Sequence, residues 1–157
     1  MNLLKNKFQV GIVVLSIIGN LAFLPSAEGS ANSNLGVTVK GLKNQKGQVC
    51  FSLFSSSRGF PSNDKRAIKA QCVKLGDSNV KLNIPSLKAG TYAIAMFHDS
   101  NGDGKLNTNA FGIPREGFGF SRNPRILTGP PKFGDSAVFV VGSSTNIQVD
   151  MNYFFGG

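Results

Sequence analysis

Apolar and polar residues alternate along the end of this chain, and that alternation constrains the fold more than any other feature. In TNIQVDMNYF, Ile147, Val149, Met151 and Tyr153 alternate with polar neighbours. Successive side chains of a β-strand point to opposite faces, so the pattern predicts a strand with one buried and one solvated face. The same alternation recurs in SNLGVTVKG and NVKLNIPSL, whereas long helical stripes do not appear. The chain is therefore predicted to be all-β.

Two further segments predict strands that are buried on both faces. GQVCFSLF and TYAIAMFH carry apolar residues on both alternating sets, which is typical of central strands. With AIKAQCVKL and SAVFVV they bring the count to about seven short strands, separated by turns rich in glycine, proline and asparagine. This favours an antiparallel β-sandwich of the immunoglobulin or transthyretin (prealbumin) type. From Asp99 to Gly134 no strand or helix pattern appears, which predicts one long loop rich in glycine, proline and phenylalanine.

The N-terminal segment has the layout of a secretory signal peptide. Lys5 and Lys7 precede the apolar run 8–24, and the small residues of PSAEGSANS follow it. We therefore divide the chain into a signal peptide, residues 1–31, and a single β-sandwich domain, residues 32–157. Because cleavage would remove the apolar run, the mature protein is predicted to be exported, periplasmic or extracellular, without a membrane span. A retained membrane anchor is the alternative.

The chain is basic, with a formal charge of +9. Without residues 1–31, 15 basic and 7 acidic side chains remain, and the formal charge is +8. A positive surface attracts anionic partners, and for an exported protein these are envelope polymers or lipid headgroups rather than nucleic acid. The alternative is that the charge only maintains solubility.

Cys50 and Cys72 are the two cysteines of the sequence. An even number of cysteines in an oxidising compartment favours a disulfide, and closing the loop between these two would contribute about 3 kcal/mol. Two free buried thiols are the alternative. The spacing of the pair matches no zinc-binding or redox motif.

The segment DSNGDGKL is similar to the first half of an EF-hand calcium loop. Asp99, Asn101 and Asp103 stand at the alternate positions where oxygen ligands occur, and Lys105 stands where a backbone carbonyl binds. Position 12, normally a bidentate glutamate, is Ala110, so a calcium site here would be weak. The alternative needs no ion, because Asn-Gly and Asp-Gly pairs form turns in which side chains bond nearby backbone N–H groups. Calcium is the one cofactor that the sequence suggests.

Basic and aromatic residues interleave farther along the same predicted loop. We identify Arg115, Phe118, Phe120 and Arg122 as candidate ligand-binding residues. Guanidinium groups pair with phosphate or carboxylate, and exposed aromatic faces stack on sugars or other flat groups. Alternatively, the phenylalanines cap the open end of the sandwich while the arginines stay solvated.

His98 is the only histidine of the sequence, which excludes a multi-histidine metal site. Asp99 follows it directly, and consecutive strand residues point to opposite faces, so the pair is not expected to form a catalytic dyad. We interpret His98 as a hydrogen-bonding residue at a strand end that positions the loop. The sequence contains no serine-nucleophile elbow and no phosphate-binding loop. A metal-assisted hydrolase that uses His98, Asp99 and Glu116 is the enzymatic alternative.

The stretch GTYAIAMFHDSNGDGKLNTNAFGIPREGFGFSRN, followed by GPPKFGDSAVFV, closely resembles the exported bacterial domain-of-unknown-function family 2141. His98, Asp99, Glu116 and Ser121 fall on the family pattern. The resemblance implies a signal peptide and a β-sandwich, but no established activity, substrate or catalytic residue. The chain departs from the family at Asn107, where aspartate is frequent, and this departure weakens the expectation of a metal site.

Together these observations predict a secreted or periplasmic protein that is not an enzyme. Its expected role is to bind an envelope component, which is an anionic polymer, a carbohydrate or a protein, through the loop 98–134. The alternatives are a weak calcium-binding structural adhesion module and the metal-assisted hydrolase.

Overall fold

The computed structural model describes residues 32–76 and 80–155, so the predicted signal peptide, residues 1–31, lies outside the described residues. The described part of the chain is mostly β-strand, with one short 3₁₀ turn and one four-residue helix, α1 (Phe133–Ser136). Within it, no helix is long and apolar enough to cross a membrane. The strands are β1 (Ser33–Lys40), β2 (Gln48–Phe54), β3 (Lys69–Lys74), β4 (Lys81–Leu87), β5 (Gly90–Asp99), β6 (Gly117–Phe120), β7 (Val138–Val140) and β8 (Ser144–Asp150).

The strands form two sheets. The smaller sheet has the order β4-β1-β8, and the larger has the order β3-β2-β5-β6, with β7 paired to the start of β5. β1 and β8 run parallel, so the prediction of a wholly antiparallel sandwich is wrong for this pair. Alternation shows which residues share a face of a strand, but it does not show the direction of the neighbouring strand. The two strands are far apart in sequence, and no tight turn joins them to impose an antiparallel pairing.

The main hydrophobic core lies between the inner faces of the two sheets. Leu35, Val37 and Val39 of β1 are at most 2% exposed, and Val149 of β8 is fully buried. These are the residues that the alternation placed on the buried face, so the half-buried strands are confirmed. Each such side chain contributes about 1.5–3 kcal/mol when it is fully buried. They belong to one cluster with Leu82 and Ile84 of the same sheet and, across the core, with Val49, Phe51, Leu53, Ile94 and Met96 of the larger sheet.

The larger sheet is also buried on much of its outer face. β2 lies between β3 and β5, and β5 lies between β2 and β6, which confirms that the two doubly apolar segments are central strands. Phe54, Ala95, Phe118 and Phe120 form a second apolar cluster on this outer face. Residues outside the strands pack over the cluster: Phe60, Ala67, Ile126 and Phe133.

Strand β6 corrects the prediction of an unbroken loop from Asp99 to Gly134. Its sequence GFGF alternates glycine with phenylalanine instead of polar with apolar residues, so the usual strand pattern is absent. Phe118 and Phe120 pair with Phe97 and Ala95 across β5. The glycines face the smaller sheet, where a Cβ atom on Gly119 would lie 2.8 Å from the Asp150 carbonyl oxygen.

Cys50 and Cys72 are directly opposite each other across β2 and β3. Their sulfur atoms are 1.98 Å apart, and the predicted disulfide is confirmed. The bond ties the edge strand β3, most of whose residues are exposed, to the buried strand β2. Because β3 has few core contacts of its own, we expect this covalent link to restrain it.

The close approach of β6 and β8 predicts that Gly119→Ala destabilises the fold. The added methyl group would lie 2.8 Å from both Asp150 O and Val149 Cγ1, and overpacking of this kind costs about 1–3 kcal/mol. Urea denaturation would measure the loss in the free energy of unfolding. Gly134→Ala is the control, because its added Cβ meets open space, and it should be neutral or slightly stabilising. Equal stability of the two variants would contradict this packing.

Candidate functional site

His98 lies near the end of β5, and its side chain is fully buried. Its Nε2 is 2.8 Å from the carbonyl oxygen of Lys46, and its Nδ1 is 2.7 Å from the hydroxyl of Tyr153. A carbonyl only accepts, so we assign the ring proton to Nε2, and Nδ1 accepts the O–H of Tyr153. As predicted, His98 is a hydrogen-bonding residue at a strand end, but these two bonds do not go to the loop that follows β5, which it was expected to position. It connects β5 to the loop before β2 and to the C-terminal segment.

Tyr153 completes this arrangement. Burial raises the pKa of its hydroxyl, and the nearby charge of Glu116 raises it further, against the opposing effect of the Lys43 backbone N–H. The phenol therefore stays protonated near neutral pH and can donate to His98. Its ring also packs edge-to-face against the imidazole, with 6.2 Å between the centroids.

Asp99 is buried on the opposite face of β5, and its carboxylate organises the turn that follows. Oδ1 accepts the backbone N–H groups of Gly102 and Asp103. Oδ2 accepts the backbone N–H of Gly104 at 2.7 Å and the side-chain amide of Gln48 at 2.7 Å. Burial acts to raise the pKa of Asp99, but the bonds from Gln48 and from these backbone groups together lower it. The carboxylate is therefore ionised and holds residues 99–107, which we term the Asp99 loop.

Glu116 holds the same loop from its other side. It directly precedes β6, and its side chain is 9% exposed. Its Oε1 accepts the N–H of Ser100 at 2.9 Å, and its Oε2 accepts the N–H of Asn107 at 2.9 Å. The two buried carboxylates thus bind both ends and the middle of the Asp99 loop.

Asp103 and Asn101 bond within the exposed part of the loop. Asp103 Oδ1 accepts the N–H of Lys105, and its Oδ2 accepts the side-chain amides of Asn107 and Asn101. The bond from Asn107 is the main cause of the lowered pKa of Asp103. Asn101 Oδ1 accepts the N–H of Asp103.

These contacts engage the side-chain oxygens that the sequence suggested as calcium ligands. The carboxylate oxygens of Asp99 and Asp103 already accept N–H donors, and the amide nitrogen of Asn101, a donor, is directed at Asp103. A calcium ion requires six to eight oxygen ligands that converge on one point. Within residues 32–76 and 80–155, no three histidine, cysteine, aspartate or glutamate side chains are grouped as metal ligands. As arranged, Asp99, Asn101, Asp103 and Lys105 form a turn that hydrogen bonds within the chain hold together.

The proposed hydrolytic residues are also engaged in structural bonds. Both ring nitrogens of His98 and all carboxylate oxygens of Asp99 and Glu116 have protein partners. The main cavities are lined by other residues. In this arrangement Asp99 and Glu116 hold the Asp99 loop, whereas His98 holds the loop before β2 and the C-terminal segment.

The candidate ligand-binding residues separate into three places. Phe118 and Phe120 are 5% and 8% exposed and pack on the outer face of β6, so their ring faces are not free to stack on a sugar. They do not cap an end of the sandwich either. Arg122 is exposed directly after β6, and Arg115 is exposed outside the main cavities.

A cleft of about 1110 Å³ lies over the outer face of the larger sheet, and we term it the outer cleft. Its floor includes Ala95, Phe97, Phe118 and Phe120, and its walls come from residues 104–114, 126–130 and 154–155. Phe111 is 87% exposed on one wall, although it is a large apolar residue. The other exposed apolar side chains of the walls are Leu106, Ile113, Leu127, Phe154 and Phe155.

A second cavity of about 640 Å³ adjoins the outer cleft, and we term it the basic pocket. Arg122, Arg125 and Lys132 line it. Residues 127–130 line both cavities, so the two are neighbours across one short segment.

Sequence reasoning missed the wall residues of the outer cleft. It directed attention to Phe118 and Phe120, which form the floor, and it passed over Phe111 and Leu127. The available signal was a pair of large apolar residues inside a turn-rich segment that has no strand pattern to bury them.

The fold and site define a two-sheet β protein in which buried polar residues hold a loop beside an open apolar cleft. Residues 37–148 match the family described as "Uncharacterized protein conserved in bacteria (DUF2141)". The match covers more than half of the 157 residues, and the chain belongs to this family, as the sequence resemblance indicated. No curated protein and no solved structure matches the chain.

The hydrogen bonds of the Asp99 loop predict that calcium does not stabilise the protein. A ligand that binds only the folded state raises the thermal midpoint. Titration to about 5 mM calcium, well above the weak affinity class of about 10⁻⁴–10⁻³ M, should leave the midpoint unchanged. Magnesium at the same concentration controls for ionic strength. A saturable rise with calcium alone would contradict this prediction and show that calcium binds the folded protein.

The lowered pKa of Asp99 predicts how its contribution depends on pH. A carboxyl group whose folded pKa is depressed stabilises the fold above its ordinary value of 3.8, and this stabilisation is lost as the pH falls through the folded pKa. Asp99→Asn should lower the free energy of unfolding by about 1–3 kcal/mol at neutral pH. The difference from the wild type should shrink below about pH 4, because the wild-type carboxyl is then protonated too.

Urea denaturation at several pH values would measure this difference. Asp64→Asn, which changes an exposed carboxylate outside the loop, should change stability by less than about 0.5 kcal/mol. A loss for Asp99→Asn that stays constant down to about pH 2.5 would show that the charge of Asp99 does not stabilise the fold.

Proposed function

We propose that this protein is a non-catalytic binding module that takes its ligand in the outer cleft. The observation that carries the proposal is the cleft itself, about 1110 Å³ in volume, with a floor of buried aromatic residues and walls of exposed apolar ones. Large apolar patches on a protein surface mark interaction sites or ligand grooves. Ligand pockets are mostly apolar clefts of about this size.

One wall of the outer cleft carries an exposed apolar side chain on a backbone that hydrogen bonds hold in place, which supports the same proposal. The N–H of Asn109 bonds to the carbonyl of Ile113, and Asn109 Oδ1 accepts the N–H groups of Phe111 and Ile113. The chain therefore makes a local turn that holds Phe111 at its tip. A wall that is ordered before binding loses less conformational entropy when the ligand arrives.

The engagement of His98, Asp99 and Glu116 supports a non-catalytic role. A general acid or base must reach the proton that it transfers, directly or through one water. These three groups instead bond to the backbone or to neighbouring side chains and lie outside the linings of both cavities.

The proposal extends to the location, the partner and the type of fold. We propose that the protein acts outside the cytoplasm on an envelope component, and the Cys50–Cys72 disulfide supports this location, because such bonds persist in oxidising compartments. We also propose that its two sheets form a sandwich of the immunoglobulin or transthyretin type. The core that both inner faces share supports this assignment.

Removing the wall side chains should weaken binding of an uncharged apolar probe. We expect Nile red, whose fluorescence rises in apolar surroundings, to bind the wild-type protein saturably. Phe111→Ser/Leu127→Ser should lower its affinity about tenfold or more, because the variant loses two large apolar contacts. Fluorescence titration would measure this affinity.

Ile68→Ser/Phe139→Ser is the matched control. It also removes one phenylalanine and one aliphatic residue, and both are more than half exposed outside the cleft. This variant should bind Nile red within about twofold of the wild type. Absence of saturable binding to the wild type, or equal losses in the two variants, would refute the proposed function.

A further inference from the structure

The charged residues divide unequally between the two neighbouring cavities. Among the described residues, the lining of the outer cleft includes one cation, Lys105, and one carboxylate, Asp64. The lining of the basic pocket includes three cations, Arg122, Arg125 and Lys132, and one carboxylate, Asp135. Positive charge is therefore concentrated at one side of an apolar cleft.

Asp135 offsets one of the three positive charges of this pocket, so positive charge remains in excess. Its Oδ2 accepts the backbone N–H of Lys132 at 3.0 Å, as part of the first turn of α1. The carboxylate thus has a structural partner within the chain. Arg122 and Arg125 are exposed, and their planar guanidinium groups suit the oxygen atoms of a phosphate or carboxylate.

Arg122 is held by its neighbours. The backbone N–H of Ile94 donates to Ser121 Oγ at 2.9 Å, and Ser121 Oγ donates to the carbonyl of Ser136. On the other side, Asn123 Oδ1 accepts the N–H of Asp150 at 2.9 Å. Arg122 itself has φ of 65°, a left-handed conformation that non-glycine residues adopt only under such constraint. The anchors therefore direct the backbone at Arg122 into an unusual turn beside the pocket.

We propose that the natural ligand is a single-chain anionic amphiphile. Its apolar chain lies in the outer cleft against the exposed wall residues Phe111 and Leu127, and its carboxylate or phosphate head lies in the basic pocket near Arg122 and Arg125. The chain crosses from one cavity to the other beside residues 127–130, which line both. This inference rests on the proposed function and adds the chemical class of the ligand.

The pairing of the two cavities selects this class over the other envelope components. An anionic polymer would use the cations and leave the apolar walls exposed. A neutral carbohydrate could stack on the exposed ring of Phe111, but it would leave the cations of the basic pocket without an anionic partner. An anionic amphiphile satisfies both cavities at once, because one end of it is apolar and the other is charged.

Three ligands with the same C12 chain and different heads test the proposal: dodecyl phosphate, dodecyl glucoside and dodecyltrimethylammonium. Each is used below its micelle-forming concentration, and displacement of Nile red reports its affinity. We expect dodecyl phosphate to bind about tenfold or more tightly than the uncharged glucoside, and the cation to bind most weakly. In the alkyl phosphates from C8 to C12, affinity should rise by up to roughly fourfold per methylene.

Arg122→Gln/Arg125→Gln should abolish the preference for the anionic head. Its affinity for dodecyl phosphate should approach that of the glucoside, while Nile red and the glucoside bind as they do to the wild type. Lys81→Gln/Lys88→Gln removes the same charge from the distant strand β4 and its following turn, and it should keep the preference. This comparison separates local recognition from the effect of net charge.

Four outcomes would overturn the inference. If Nile red binds but the three heads bind equally, the proposed function stands and the amphiphile is wrong. If both glutamine variants lose the preference equally, net charge explains it. If the protein sediments with anionic phospholipid vesicles but does not bind monomeric dodecyl phosphate, the surface docks on bilayers. If Nile red does not bind either, the proposed function fails together with the inference.

Discussion

Buried carboxylates are costly unless hydrogen-bond donors surround them, and this constraint shapes the region where β5 ends and β6 begins. Asp99 and Glu116 are buried there, and together they accept six N–H groups, five of them from the backbone of the Asp99 loop and one from Gln48. The backbone donors include Gly102 and Gly104, both at positive φ, a conformation that glycine adopts without steric strain. The loop cannot move away from β5 without leaving a buried charge unpaired, which is a large penalty.

This constraint allows the protein to keep apolar side chains in water. Phe111 would gain free energy by folding onto the protein surface, yet it remains 87% exposed. The turn that carries it is tied at Asn109 and, through Asn107, to Glu116. Polar residues that resemble an ion site or a catalytic group thus act as supports, and the surface that they support is apolar.

Much of the fold could be predicted from the sequence because strand alternation reports burial directly. Leu35, Val37 and Val39 are buried as the pattern indicated, and β2 and β5 are central because both of their faces are covered. The parallel pairing of β1 with β8 could not be predicted in this way, because alternation is independent of strand direction. β6 was missed because its inner face needs glycine, where the smaller sheet comes too close for a side chain.

The site was less predictable, for a physical reason that Phe118 and Phe111 illustrate. The hydrophobicity of a residue predicts burial, and for Phe118 that expectation is met, but Phe111 on the wall of the outer cleft is exposed. Whether a phenylalanine in a glycine-rich segment forms a floor or a wall depends on the strand pairing and on the tether of the loop, and both are tertiary properties. For His98, hydrogen bonding at a strand end could be predicted, because a buried imidazole requires partners, but the partners themselves could not, because Lys46 and Tyr153 are 52 and 55 residues away in the chain.

The turn after β6 connects the support of the fold to the proposed site. Ser121 and Asn123 bond to strands of different sheets, Ser121 to β5 and Asn123 to β8. Arg122 stands between them, in a conformation that a freely moving chain would rarely adopt. The bonds of Ser121 and Asn123 therefore fix the backbone at Arg122, the exposed cation beside the outer cleft. Because this turn sets the position of the Arg122 charge before any ligand arrives, a ligand that engages both cavities would meet a largely preformed surface.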